Sequence, residues 1–165
     1  IETELSSSSC ISLLYTHPAA FRSLSGLFGP CGDGCHTCGI MGIIGVLADG
    51  SYALCGIGET VPELVFGSAA TDSLEEVWLN SPLLREIREG LPNRLSGVCG
   101  KCLMKRICLG ECIAQNYYLT RDLWSPFWYC DAALKGGVFP KSRLAQAERD
   151  ESEKQKIPPQ SAETR

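Results

Sequence analysis

The chain has 165 residues, a net charge of −4 and a pI near 5.2, enough for one domain with a modest core and no basic surface for nucleic acid. No apolar run approaches the ~20 residues of a membrane span, and the start lacks the pattern of an export signal. A cytoplasmic, reducing setting is therefore expected, in which ten cysteines are read as metal ligands before disulfides.

The chain opens on Ile1 in place of an initiator Met, and we expect it to be the end of a longer protein. Residues 1–34 read as a lead-in. Ile11 to Tyr15 suits a short strand, His17-Pro18 turns the chain, and Ser23 to Gly34, rich in Gly, Ser and Pro, reads as an exposed loop. Gly39 to Cys55 predicts a β-hairpin: an apolar arm Ile40–Leu47, a turn at Asp49-Gly50, and a return arm Ser51–Leu54. Asp-Gly between two β-prone runs is a strong hairpin signal. This turn brings Cys38 and Cys55 to the same end of the hairpin.

Two short helices are predicted next. Ser73-x-x-Glu76 is a capping box opening the first, with Leu74, Val77 and Trp78 on one face. Ser81-Pro82 opens the second, which carries Leu83, Leu84 and Ile87 and stops at Gly90 and Pro92. Residues 97–113 form a cysteine block in which Gly97, Gly100 and Gly110 permit tight turns and leave backbone N–H groups near the sulfurs. Residues 141–165 mix charges densely, contain Pro158-Pro159 and lack aromatics, the composition of a frayed helix or disordered tail.

Cysteine spacing carries the chemistry. Cys35/Cys38 and Cys99/Cys102 are C-x2-C pairs, a spacing that presents two thiolates to one ion or cluster and weighs against a secreted disulfide scaffold. Cys99, Cys102, Cys108 and Cys112 would suffice for one zinc site, which leaves Cys38, Cys55 and Cys130 to be explained by a second. His17 reads as a solvated loop residue and His36 as a bystander between two cysteines. Cys31-x3-Cys35-x2-Cys38 has the spacing with which radical S-adenosylmethionine enzymes hold their catalytic cluster. It has Thr37 where an aromatic residue is usual, and a hairpin follows where a barrel should.

The whole pattern is more specific than that fragment. Cys38-x11-Gly50-x4-Cys55, then Cys99-x2-Cys102-x5-Cys108-x3-Cys112-x17-Cys130, resembles the SPASM domain, the C-terminal two-cluster extension of a branch of radical S-adenosylmethionine enzymes. The resemblance covers roughly residues 35–140. It extends to Ala48-Asp49-Gly50 before Cys55 and to Leu74-Glu75-Glu76-Val77-Trp78 between the blocks. The segment Cys99 to Tyr118, with Gly110 and Gln115-Asn116-Tyr117-Tyr118, is similar to members that mature ribosomally made peptides.

The resemblance implies an α+β fold, small and metal-stabilised, with a hairpin, short helices and cysteine-rich loops around two 4Fe–4S clusters. It implies one cluster on Cys99, Cys102, Cys108 and Cys130, and another on Cys55, Cys112, Cys38 and either Cys35 or Cys31. Cys35 is preferred because its two-residue gap to Cys38 lets both thiolates reach one cluster. Cys31 is then a spare thiol, and Cys10 an ordinary free Cys. Lys101, Lys105 and Arg106 would offset the negative charge of thiolate-bound clusters or form a plain basic loop. Trp124, Phe127, Trp128 and Tyr129 would wall off the cluster that includes Cys130. S-adenosylmethionine and a third cluster are expected only in the missing barrel domain.

Such a domain would transfer electrons and position a precursor peptide, served by a flavodoxin- or ferredoxin-type donor, with no nucleic-acid or membrane partner. It would not be a complete catalyst alone. Chelation is expected to unfold residues 35–130, because interleaved ligands lock both sites together. A stand-alone ferredoxin-like electron carrier and a zinc-stabilised interaction module are the alternatives, separable by metal content.

Overall fold

The computed structural model describes residues 17–30 and 38–145. The architecture is α+β: a three-stranded antiparallel sheet, β1 (Gly45–Val46), β2 (Ser51–Ala53) and β3 (Val65–Ser68) in that spatial order, together with short helices. The expected strand at Ile11–Tyr15 lies outside the described residues.

The hairpin is present but shorter than its apolar pattern suggested. β1 (Gly45–Val46) pairs with β2 (Ser51–Ala53) in the register Gly45↔Ala53 and Val46↔Tyr52. Its expected first half does not pair, because Gly42 N–H turns back onto the Gly39 carbonyl at 2.7 Å, leaving Met41 and Ile43 partly exposed. At the tip, Gly50 N–H closes a turn on the Leu47 carbonyl at 2.9 Å, and Gly50 takes φ 84°, a left-handed position that costs a glycine nothing. A third strand, β3 (Val65–Ser68), pairs with β2 through a register shift between Tyr52 and Ala53.

The lead-in also departs from the loop expected there. Ala19–Phe21 forms a 3-10 turn, and α1 (Leu24–Phe28) is capped by the Ser23 hydroxyl, which accepts from Gly26 N–H at 3.0 Å. Ala19, Ala20 and Leu27 are buried and anchor the segment to the core, while Leu24 and Phe28 remain exposed as the loop reading expected.

α2 (Leu74–Asn80) and α3 (Pro82–Gly90) fall where predicted. The capping box of α2 does not close: Ser73 makes no side-chain cap bond, and Asp72 accepts Ser68 N–H at 2.7 Å instead. Nor does α2 bury its apolar face, since none of its residues is fully buried and Leu74 is 49% exposed. In α3 the Ser81 hydroxyl accepts from Leu84 N–H at 3.5 Å, Pro82 occupies the first turn, and Leu84 and Ile87 are buried. Arg88 ties the two helices together, its guanidinium 4.2 Å above the Trp78 ring and donating to the Trp78 carbonyl at 2.7 Å.

Four more helices carry or follow the cysteine block: α4 (Gly97–Lys101), α5 (Lys105–Cys108), α6 (Ile113–Thr120) and α7 (Trp128–Lys135). The main core joins Leu54, Val61, Leu64, Ile87, Val98, Ile113 and Trp124 to the thiols of Cys99, Cys102 and Cys130. Sulfur is thus part of the core packing. Downstream, Leu144 bridges to Cys102, with Leu103 N–H on the Arg143 carbonyl and Ala145 N–H on the Lys101 carbonyl, each at 2.8 Å. The start of the segment expected to be a charged tail is therefore laid against the cysteine block, and residues 146–165 lie outside the described residues.

Candidate metal centre

Four thiols converge from three helices. Cys99 sits within α4, Cys102 follows its last turn, Cys108 ends α5, and Cys130 lies in the first turn of α7. All four are buried and line one apolar cavity with Pro18, Ala20, Gly110 and Phe139. The space between them is about 10 Å³, so an inorganic core of several atoms enters only if the thiol side chains swing outward.

Backbone N–H groups face these sulfurs, but they come from Met104, Phe127 and Ala19 rather than from the glycine turns expected to supply them. Met104 N–H lies 3.3 Å from Cys102 Sγ, and Phe127 N–H lies 3.3 Å from Cys99 Sγ. Ala19 N–H serves Cys108. Such donors stabilise thiolate, and hence metal ligation.

Burial works the other way. Cys130 S–H donates to the Cys99 sulfur, and that hydrogen bond, followed by burial, holds the Cys130 thiol well above the ordinary range. The same bond, helped by Phe127 N–H, draws Cys99 down to about 7 against its burial. Cys108 is pushed up by burial, then by the charge of Glu111 and its S–H bond to that carboxylate. Cys102 is raised chiefly by burial, with Met104 N–H and the Arg143 charge opposing. Buried thiols that resist losing a proton to water give it up to a metal.

A second group forms at the open end of the hairpin. Cys38, Cys55 and Cys112 are half-buried against the same core. Cys55 follows β2 and leads a 3-10 turn (Gly56–Glu59), while Cys112 is the N-cap of α6. Cys38 is raised by burial and by the nearby Cys112, with Ile40 N–H opposing and Cys55 and Glu111 adding to the rise. Cys35 and Cys31, the candidates to complete this group, lie outside the described residues, as do Cys10 and His36. His17 is exposed at the surface.

The donor set is all sulfur, arranged as a four-thiol pocket and a three-thiol group, and it suits iron–sulfur ligation. Among the described residues, no three Cys, His, Asp or Glu side chains draw close enough to hold a single metal ion. No helix of the described residues is long and apolar enough to cross a membrane.

The pocket wall differs from the aromatic one expected. Trp124 is buried against Gly90 and under Arg94, 4.2 Å from the ring, and Trp128 is 50% exposed. Phe127 contributes its backbone N–H. The wall itself comes from Ala20 and Phe139, with Phe21 edge-on to Phe139 and Tyr129 at 5.5 and 5.2 Å. The cation acting on a pocket thiol is Arg143, whereas Lys105 donates to the Gly100 carbonyl at 3.0 Å. Sequence reading passed over Glu111, whose place directly before Cys112 was the available signal. For Ala20 and Phe139, far from the cysteine block in sequence, it had none.

Residues 35–103 match the SPASM family, described as an iron–sulfur cluster-binding domain. The matched span holds Cys35, Cys38, Cys55, Cys99 and Cys102 and stops short of the last three cysteines of the pattern. An AdoMet-dependent heme synthase of Methanosarcina barkeri (strain Fusaro / DSM 804) is 34% identical over 64 residues, which are 39% of this chain and 18% of that protein. The chain therefore spans less than a fifth of this relative's length. No solved structure matches the chain. Sequence pattern, thiol arrangement and family match agree: the chain carries a SPASM domain, the iron–sulfur cluster-binding domain of radical S-adenosylmethionine enzymes.

Proposed function

We propose that this domain holds two 4Fe–4S clusters that serve electron transfer and substrate positioning for a radical S-adenosylmethionine barrel. One cluster is assigned to Cys99, Cys102, Cys108 and Cys130, the other to Cys38, Cys55, Cys112 and Cys35. The observation that carries the reading is the shared cavity of four buried thiols brought together from three separate segments. A bound cluster supplies one-electron transfer. The protein's part is to exclude water with Ala20 and Phe139, to aim N–H groups of Met104, Phe127 and Ala19 at the sulfurs, and to fix the ligand loops.

The substrate assigned is a precursor peptide, on the similarity of residues 99–118 to peptide-maturing members. A second reading follows from the named relative, a heme synthase, and makes the substrate a tetrapyrrole. Anaerobic reconstitution followed by metal analysis tests the cluster assignment. About eight iron and eight sulfide per chain are expected, and a colourless protein with tight zinc overturns it. With the full-length enzyme, binding of a peptide against binding of a porphyrin separates the two substrates.

A further inference from the structure

The net charge of −4 hides an uneven distribution. Gly97 to Gly110 and Ala132 to Ala145 hold Lys101, Lys105, Arg106, Lys135, Lys141 and Arg143 and no carboxylate, whereas Asp72 to Glu89 hold five carboxylates and two arginines. Lys135 is paired with Asp131 at 2.6 Å. Among the described residues the other five cations have no carboxylate partner.

Folding gathers these charges on one side of the cysteine block. Cys102 and Leu144, joined by the bridge described above, are both extended, with φ −77°, ψ 131° and φ −88°, ψ 136°, and side chains alternate sides along extended backbone. Cys102 is therefore turned into the pocket, while its neighbours Lys101 and Leu103 stand in solvent, Leu103 54% exposed. Leu103 N–H binds the Arg143 carbonyl and Ala145 N–H the Lys101 carbonyl, which sets Arg143 beside Leu103. Lys105 reaches back to the Gly100 carbonyl at 3.0 Å, next to Lys101, and Lys141 opens the turn that ends in Arg143. The result is an exposed leucine flanked by cations, one residue from a pocket thiol.

Unpaired charge of one sign steers and orients a partner, and an apolar side chain among such charges supplies the close contact of a transient interface. We propose that this face, centred on Leu103, docks a small acidic electron-carrier protein against the four-thiol site. The inference rests on the cluster reading above and names the partner of that site. A redox protein fits better than another polyanion, because Leu103 is peptide-bonded to the ligand Cys102 and offers apolar surface that a phosphate chain would not use. One electron passes between carrier and cluster, and no bond or proton moves.

The test mixes the reconstituted chain with an acidic flavodoxin by stopped flow, in the direction in which the electron runs downhill, with iron measured on the same samples. The second-order rate should fall about 10-fold or more between roughly 20 and 200 mM salt, as screening shortens the reach of the charges. Lys101→Glu and Lys141→Glu, both at exposed positions, should each slow exchange at low salt by about 10-fold, and exchange with a small neutral quinone should be unchanged. Arg85→Glu makes the same change in net charge at an exposed site on α3 and should slow exchange by less than about 2-fold. A rate independent of salt, or Arg85→Glu as slow as Lys101→Glu, overturns the proposal. So does an equal loss toward flavodoxin and quinone, which assigns the effect to the cluster. Duplex DNA held more tightly than flavodoxin at about 150 mM salt also overturns it and makes the face a phosphate-binding one. A chain that takes up no iron overturns the cluster reading itself, and this inference with it.

Discussion

Asn116 donates its side-chain amide to the Gly110 carbonyl at 3.1 Å from a fully buried position one turn after Cys112. The bond crosses from α6 to the strap Leu109, Gly110 and Glu111, which joins Cys108 to Cys112 and has φ 51°, 80° and 63°, all left-handed. Among the described residues Asn116 Oδ1 is buried with no partner, so the residue is kept at a cost in desolvation.

Asn116→Ala should destabilise the domain by about 0.5–1.5 kcal/mol, the net worth of one buried hydrogen bond, because the Gly110 carbonyl keeps Cys112 N–H at 2.8 Å. Urea unfolding of the iron-loaded protein measures the loss. Iron content should fall as well, since the strap carries one thiol of each group. Unchanged midpoint and iron content would mean that the strap holds its shape without Asn116.

Trp124 and Gly90 are matched in shape. A β-carbon at Gly90, the last residue of α3, would lie 2.0 Å from the edge of the Trp124 ring, which is buried and held beneath the Arg94 guanidinium at 4.2 Å. In an exposed helix, Gly→Ala gains ~1 kcal/mol. Here overpacking should reverse the sign, and Gly90→Ala should destabilise by about 1–3 kcal/mol. A raised melting temperature would show that Trp124 can move aside.

Local signals were legible in the sequence, and contacts between distant segments were not. Ser81-Pro82 and Gly90 delimit α3 as read, because capping is decided within one turn. Asp49-Gly50 marked the hairpin for the same reason. Val65–Ser68 is short and contains a glycine, so only its pairing with β2 makes it a strand. Cysteine spacing exposed the candidate ligands, since ligand type is a local property. That Ala20 and Phe139 close the pocket depends on packing across the whole domain. At α2 the sequence pattern placed the helix start while Asp72, one residue earlier, bonded the Ser68 amide, so a correct boundary came with an unmade bond.

The hairpin tip should report its own titration. The Asp49 carboxylate accepts Ser51 N–H at 2.8 Å, and that bond, followed by one from the Ser51 hydroxyl, lowers its pKa. A lowered folded-state value means that the stabilisation is fully present above the unfolded value, about 3.9, and is lost as pH falls through the folded one. The Ser51 amide proton followed by NMR should titrate with a midpoint below the ordinary aspartate range, and Asp49→Asn should abolish that titration. A midpoint at or above the ordinary value would mean the bond is not kept in solution.

Metal removal should cost this domain more than its cofactors. The sheet is built from strands of two, three and four residues, α2 has no fully buried residue, and three thiols belong to the main core itself. With so little regular structure beside a modest apolar core, ligation free energy is expected to supply much of the folding free energy. Only three residues separate Cys108 of one thiol group from Cys112 of the other, and the Gly110 carbonyl between them is held by Cys112 N–H and Asn116. Chelation should therefore abolish the cooperative thermal transition. Cys112→Ser, aimed at the hairpin group, should also lower the stability of the four-thiol site below that of the unaltered protein. Circular dichroism melts of loaded, chelated and Cys112→Ser protein check both expectations. An iron-free preparation with the native spectrum and melting profile would show that the apolar core suffices on its own.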